Sequence, residues 1–196
     1  GDSKAVASVN AETGQPIVST KEPKKLVPQI MYHTTRNDFS TFEIGRMTTN
    51  SSTFGDWETY RAAVFVTPEL EASQAYGKSG GEFAQGANVI PLYVKAENPL
   101  DLTGNYLPQD VRDRLADAGA PARLLRDFSW ATFDDADGKA FVDAAKALGY
   151  DSAIFNDDNP DTSESFEAWA IFSPNQIKSA IGNRGTFDAT NPDIRY

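Results

Sequence analysis

Apolar positions in this chain fall into short runs separated by polar punctuation. Residues 1–28 are polar, interrupted by Pro16, Pro23 and Pro28 and by the basic patch Lys21, Lys24, Lys25. They predict an extended arm with one short strand near 16–19. In LVPQIMYHTT the apolar run predicts a first strand over 29–32, ending at His33. Residues 36–61 read as a long loop with scattered aromatics, Phe39, Phe42, Phe54, Trp57 and Tyr60. A loop of that length in a compact domain is usually a lid or a disordered insert. AAVFV is a buried strand. Thr67 is placed to cap a helix, with Pro68 at its first position, Glu69 in its first turn and its end near Tyr76. NVIPLYVKA is a strand in which Pro91 argues for an edge or a bulge.

Two amphipathic helices follow. PQDVRDRLADAG puts Val111, Leu115 and Ala118 on one face. GKAFVDAAKALG turns Phe141, Ala144, Ala145 and Leu148 inward and stops at Gly149. SAIFN and FEAWAIF are strands joined by the acidic turn DDNPDTSES, and their pairing looks antiparallel. SPNQIKSA starts a new helical turn, with Ser173 and Gln176 at capping-box spacing. The tail GNRGTFDATNPDIRY is turn-rich. Mostly strands with two or three helices is an α+β pattern, divided into an arm over 1–28 and a domain over 29–196.

The chain of 196 residues has a formal net charge of −10 and a pI near 4.5. That opposes a non-specific grip on nucleic acid, which needs clustered Lys and Arg. With no cysteine and a single histidine, disulfides, thiolate zinc sites and His–His metal sites are excluded. The acidic turn lacks the glycine and terminal glutamate spacing of a calcium loop. No run of 18 apolar residues is present, and the N-terminal stretch has no apolar core of a signal peptide. The expected location is the cytoplasm.

Three features carry candidate chemistry. His33 ends an apolar strand, a position where a histidine commonly ties down a loop. Ser73 and Tyr76, three apart on one helix face, follow Phe65. A tyrosine at a helix end is usually core with a wet hydroxyl. Glu167 opens the strand EAWAIF, where a carboxylate is commonly solvated surface.

In order and spacing these pieces resemble the ADP-ribosyltransferases of the His-Tyr-Glu class, shared by diphtheria-type toxins and poly(ADP-ribose) polymerases. The closer likeness is to the ADP-ribosyltransferase-like domains of large polyvalent proteins of phages and mobile elements. It is carried by SVNAETGQPIV, MYHTT, AVFVTPELEASQAYG, GYDSAIFN and WAIFSPNQIKSAIGNRGTFDATNPDIRY. It is weakest over 36–61 and 105–138, the segments expected to touch the target.

The resemblance implies split antiparallel sheets with a few flanking helices, NAD as substrate and no metal. It makes His33 the residue that hydrogen-bonds the adenosine ribose. Thr34 replaces the usual glycine whose backbone pairs with the nicotinamide carboxamide. Phe65 stands where many members have a tyrosine and retains a ring that can stack. Ser73 would bond the nicotinamide amide, and Tyr76 would stack on its ring. Aligning WAIFSPNQI on the family's last strand puts Ala168 at the catalytic glutamate's position, with Glu167 one residue earlier. Glu167 is taken as the catalytic carboxylate, with Glu164 and Asp161 as alternatives. Alternation along a strand would turn Glu167 to the other face unless a bulge re-aims it.

The implied activity is transfer of ADP-ribose to an unknown macromolecular acceptor, protein or RNA, by a toxin, effector or phage-borne host modifier within a longer polypeptide. Two alternatives stand beside it. One is a catalytically degenerate domain of the same fold that binds NAD or a partner. The other is a nuclease-type toxin, disfavoured by the shortage of His, Lys and Arg near the motifs.

Overall fold

A computed structural model of the chain describes residues 29–196 apart from 46, 53, 54, 80, 81, 84, 105 and 186. The arm and its proposed strand lie outside the described residues. In chain order the elements are β1 (Gln29–Thr35), β2 (Met47–Ser52), β3 (Gly55–Tyr60), β4 (Val64–Val66), α1 (Leu70–Ala75), β5 (Lys78–Ser79), β6 (Glu82–Phe83), β7 (Asn88–Val94), β8 (Pro99–Asp101), α2 (Gln109–Asp117), α3 (Asp135–Ala147), β9 (Ser152–Asp158), β10 (Ser165–Ile171) and β11 (Ile177–Ser179). Short 3₁₀ turns lie at Ala122–Leu124, Trp130–Phe133 and Pro174–Gln176.

The strands build two sheets, in orders β1-β7-β11 and β4-β10-β9-β8, with β2-β3 and β5-β6 as separate hairpins. Pairing is antiparallel except between β8 and β9, which are parallel across the excursion through α2 and α3. The α+β class follows, with the helices on one face of the four-stranded sheet.

Two apolar clusters fix this arrangement. Leu115 of α2 and Phe141, Ala144 and Ala145 of α3 pack with Phe133, Phe155, Phe166, Ala168 and Ala170 against one face of the four-stranded sheet. On the other face Val64, Val66, Trp169 and Ile171 meet Met31, Leu92 and Val94 of the three-stranded sheet. Strand β10 is therefore buried on both sides. Its even residues face the helices and its odd residues Trp169 and Ile171 face the second sheet. The sheets join at a β-bridge between β1 and the end of β4. Tyr32 N–H donates to Thr67 O at 2.8 Å, and Thr67 N–H donates to Tyr32 O at 3.1 Å.

Several local readings are corrected by tertiary context. β1 runs to Thr35, so His33 and Thr34 lie inside a strand, held by β7 along its whole length. The 36–61 loop contains the β2-β3 hairpin. Helix α1 starts at Leu70 rather than Pro68: Thr67 is held extended by its bridge to Tyr32, and the first helical bond runs from Ser73 N–H to the Glu69 carbonyl. SPNQ makes one 3₁₀ turn, and IKS then continues as β11. Ser173 caps that turn, but the Gln176 side chain donates to Lys95 O instead of closing a capping box.

Pro91 sits in the central strand of its sheet, not at an edge. It lies opposite Tyr32, whose backbone groups turn away toward Thr67, so no donor is needed from Pro91 toward β1. On its other side β11 has ended, and only the Pro91 carbonyl is used, accepting from Ala180 N–H at 2.9 Å.

The C-terminal tail is bound by a buried cation. Lys178, fully buried on β11, donates from Nζ to the carbonyls of Asn191 and of Asp193. Ile194 completes the link, accepting from Ser179 N–H at 2.7 Å and donating to Ser40 O at 2.8 Å. The tail thereby braces the loop after β1.

Within the helical core Gly138 is a contact point. A Cβ there would collide with the Phe133 backbone carbonyl. Gly138→Ala is expected to destabilise the fold by about 1–3 kcal/mol through overpacking. Urea unfolding measures it, and an unchanged midpoint would contradict this packing.

Candidate functional site

The edge of β1 that faces α1 is the starting point. Because Tyr32 directs its N–H and C=O toward Thr67, alternation directs those of Thr34 to the same side, away from β7. His33, of opposite parity, points its side chain with Met31 toward the intersheet core, its ring set edge-on to Phe42 at 5.0 Å and Phe39 at 6.5 Å. His33 Nδ1 lies 2.8 Å from Phe65 O. A carbonyl only accepts, so Nδ1 carries the proton. Burial lowers the pKa of His33, partly offset by that bond. The ring is then neutral at pH 7 and its Nε2 is an acceptor.

Thr34 bridges to α1. Its hydroxyl donates to Ser73 O and lies 2.9 Å from Ser73 Oγ. With Thr34's proton used on the carbonyl, the Ser73 hydroxyl is the donor of the second bond. Replacing glycine by threonine at this position therefore does more than thicken a pocket edge: it engages the hydroxyl expected to hold an amide. Ser73 is buried, while Tyr76, at the C-terminal end of α1, is half exposed.

Tyr76 reaches the helix-facing side of the four-stranded sheet. Its ring stands edge-on to Phe166 at 6.2 Å, and its hydroxyl donates to Asp157 Oδ2 at 2.8 Å. Asp157 Oδ1 accepts from Asp158 N–H at 3.0 Å. Asp157 and Asp158 are the last residues of β9, not part of the turn as the sequence suggests. Burial and Asp157 together raise the Tyr76 pKa. Burial also lifts the Asp157 carboxyl above its usual value of 3.8, against the hydrogen bonds from Tyr76 and Asp158.

Phe65 lies on this same side, edge-on to Phe133 and Phe155. The Arg61 guanidinium lies over its ring at 4.9 Å and over Trp130 at 5.4 Å, with Nε 3.4 Å from Asp134 Oδ1. The stacking place on Phe65 is thus taken by a cation. Arg61 lies in the electrostatic reach of Asp134 and Asp157.

Glu167 faces the other way. The β10-β9 register runs unbroken from Ser165 to Ile171, so no bulge re-aims it. Its Oε1 accepts from Trp169 Nε1 at 2.8 Å on the intersheet side, while Ala168 points to the side of Phe65, Phe166 and Tyr76. Of the alternatives, Asp161 pairs with Lys78 at 2.5 Å and Glu164 stays in the β9-β10 turn beside Thr162. The structure thus brings Thr34, Ser73 and Tyr76 together along α1 and holds His33 by the Phe65 carbonyl. It separates Glu167 from Tyr76 across the sheet.

With this geometry in place, comparison with known families is decisive. A family model described as ADP-ribosyltransferase in polyvalent proteins matches residues 25–187. The chain belongs to this family. Comparison with curated proteins gives no match, and comparison with solved structures gives none. Membership supports ADP-ribosyltransferase activity in general, and the two split sheets agree with the fold of such a transferase. Among the described residues of this ADP-ribosyltransferase domain, no helix is long and apolar enough to cross a membrane.

Arg61 and Asp157 were not legible as site residues in the sequence. The one signal was the alternation in SAIFNDD, which puts Asp157 on the face of Ala153 and Phe155. A carboxyl whose folded pKa is raised binds its proton more tightly in the folded state. Its stabilising contribution is present below pH 3.8 and is lost as pH rises through the folded value. Asp157→Asn is therefore expected to raise stability at pH 7, the gain vanishing below about pH 4. Urea unfolding across this range tests it, and a gain independent of pH would contradict the assignment.

Proposed function

We propose that this domain cleaves the nicotinamide–ribose bond of NAD and transfers ADP-ribose to a macromolecular acceptor. The observation that carries the reading is the outward backbone edge of Thr34 beside Ser73 and Tyr76 on α1. A planar carboxamide can pair with one N–H and one C=O at such an edge, and Tyr76 offers a flat apolar wall for the ring. The neutral His33, with Nδ1–H fixed on the Phe65 carbonyl, offers Nε2 to a ribose hydroxyl. A carboxylate beside the ribose completes the chemistry, since bond breaking builds positive charge on the sugar ring. Glu167, drawn from the sequence for that role, emerges on the face opposite Tyr76. Membership in a family of polyvalent proteins supports placement in a longer polypeptide and a role as a delivered effector or host modifier.

A second reading, a domain that binds NAD without transfer, is favoured by Ala168 on the Tyr76 side and by the Thr34–Ser73 bond. Incubating the protein with NAD, with and without bacterial lysate, and measuring nicotinamide separates the two. Transfer predicts release that falls by about 10²-fold in Tyr76→Ala, as misplacement of the leaving group costs that much. NAD binding without release gives the second reading, and neither binding nor release overturns both.

A further inference from the structure

We infer that Asp157, rather than Glu167, is the catalytic carboxylate of this domain, displaced from β10 to the neighbouring strand β9. The inference rests on the NAD-cleaving reading above. Its face, its partner and the absence of a better-placed rival among the neighbouring aspartates converge on it.

The first is the face. Ala168, at the position where the resemblance expects a glutamate, pairs directly with Phe155, and Phe166 pairs with Asp157. Residues 155, 157, 166 and 168 therefore share one face, and Asp157 is the diagonal neighbour of Ala168, about 7–8 Å away between backbones. A side chain starting there reaches the space that a longer side chain on 168 would fill. Glu167 projects from the opposite face toward Trp169.

The second is the partner. Asp157 Oδ2 accepts from the hydroxyl of Tyr76, the ring expected to cover the nicotinamide. A carboxylate hydrogen-bonded to the stacking tyrosine stands next to the sugar attached to that ring. Each carboxylate oxygen accepts one bond here, from Tyr76 and from Asp158 N–H, and retains a further lone pair for a ribose hydroxyl.

The third is the competition. Asp158 alternates to the far face, Asp161 is paired with Lys78, and Asp134 with Arg61. Asp157 keeps its place although burial penalises its charge. Costly carboxylates of that kind collect at functional sites.

The C1′–N bond of NAD breaks and its electron pair leaves with neutral nicotinamide. The ribosyl cation, faced by the Asp157 carboxylate, takes an oxygen from water or an acceptor hydroxyl. A C1′–O bond forms, and the proton of that oxygen passes to the carboxylate and then to solvent.

The test compares Asp157→Asn, Asp157→Glu and Glu167→Gln with the unaltered protein for nicotinamide release and for NAD affinity by calorimetry. Asp157→Asn is expected to lose release by about 10²–10³-fold, the scale of removing one charge-stabilising group. Its NAD affinity should stay within about threefold, which also establishes that it folds. Asp157→Glu should recover at least part of the rate, and Glu167→Gln should keep it. Release retained in Asp157→Asn, or lost in Glu167→Gln with NAD binding intact, overturns the inference and leaves the transferase reading standing. No release from the unaltered protein overturns both together.

Discussion

The rest of this structure depends on one constraint, the burial of β10 on both faces. Phe166, Ala168 and Ala170 are committed to the helical core, and Trp169 and Ile171 to the core between the sheets. A one-residue slip would exchange those sets, pressing an indole into the space shaped for alanine. The register against β9 and β4 is locked for that reason. Every side chain that β9, β10 and β4 carry to the rim inherits a fixed face, including Glu167, Asp157 and Phe65.

The same constraint governs the junction between the sheets. The two sheets are joined by the Tyr32–Thr67 bridge and by the apolar core between them. Beyond that bridge the Thr34 backbone edge turns toward α1 instead of toward another strand. Two braces hold this junction. His33 is pinned to the Phe65 carbonyl, and the C-terminal tail, anchored on the buried Lys178 ammonium, presses Ile194 against the loop that packs on His33. The C-terminal ending thus serves the site indirectly, as a strap behind the histidine.

On the helix-facing side the polar groups are arranged at a cost. Arg61, Asp157 and Tyr76 are gathered at the margin of an aromatic core of Phe65, Phe133, Phe155 and Phe166, where low polarity penalises each charge. Mutual attraction and the Tyr76 hydroxyl offset part of that penalty. An arrangement that carries a charge burden in the resting state, at the end of a strand and beside a helix terminus, is suited to a ligand that brings charge of its own.

The main strands and the two long helices were legible in the sequence, and so was the family. Strongly apolar runs such as AAVFV and SAIFN, the helix periodicity around Phe141, and the Gly149 stop are local signals that tertiary context reinforces. The motif order from His33 to Tyr76 and the C-terminal ending carry the resemblance to ADP-ribosyltransferases. What the sequence misread was decided by partners distant along the chain. Thr67 was drawn into the bridge with Tyr32, so the helix begins after Glu69, whose N–H the Thr67 hydroxyl still accepts. Pro91 occupied a central strand because β11 ended one residue short of needing its missing N–H. The site was divided between two faces because side chains alternate along a strand whose register the two cores fix. Propensity and motif spacing act over a few residues, whereas the face on which a carboxylate emerges is set by what the neighbouring strands bury, and only the folded chain contains that information.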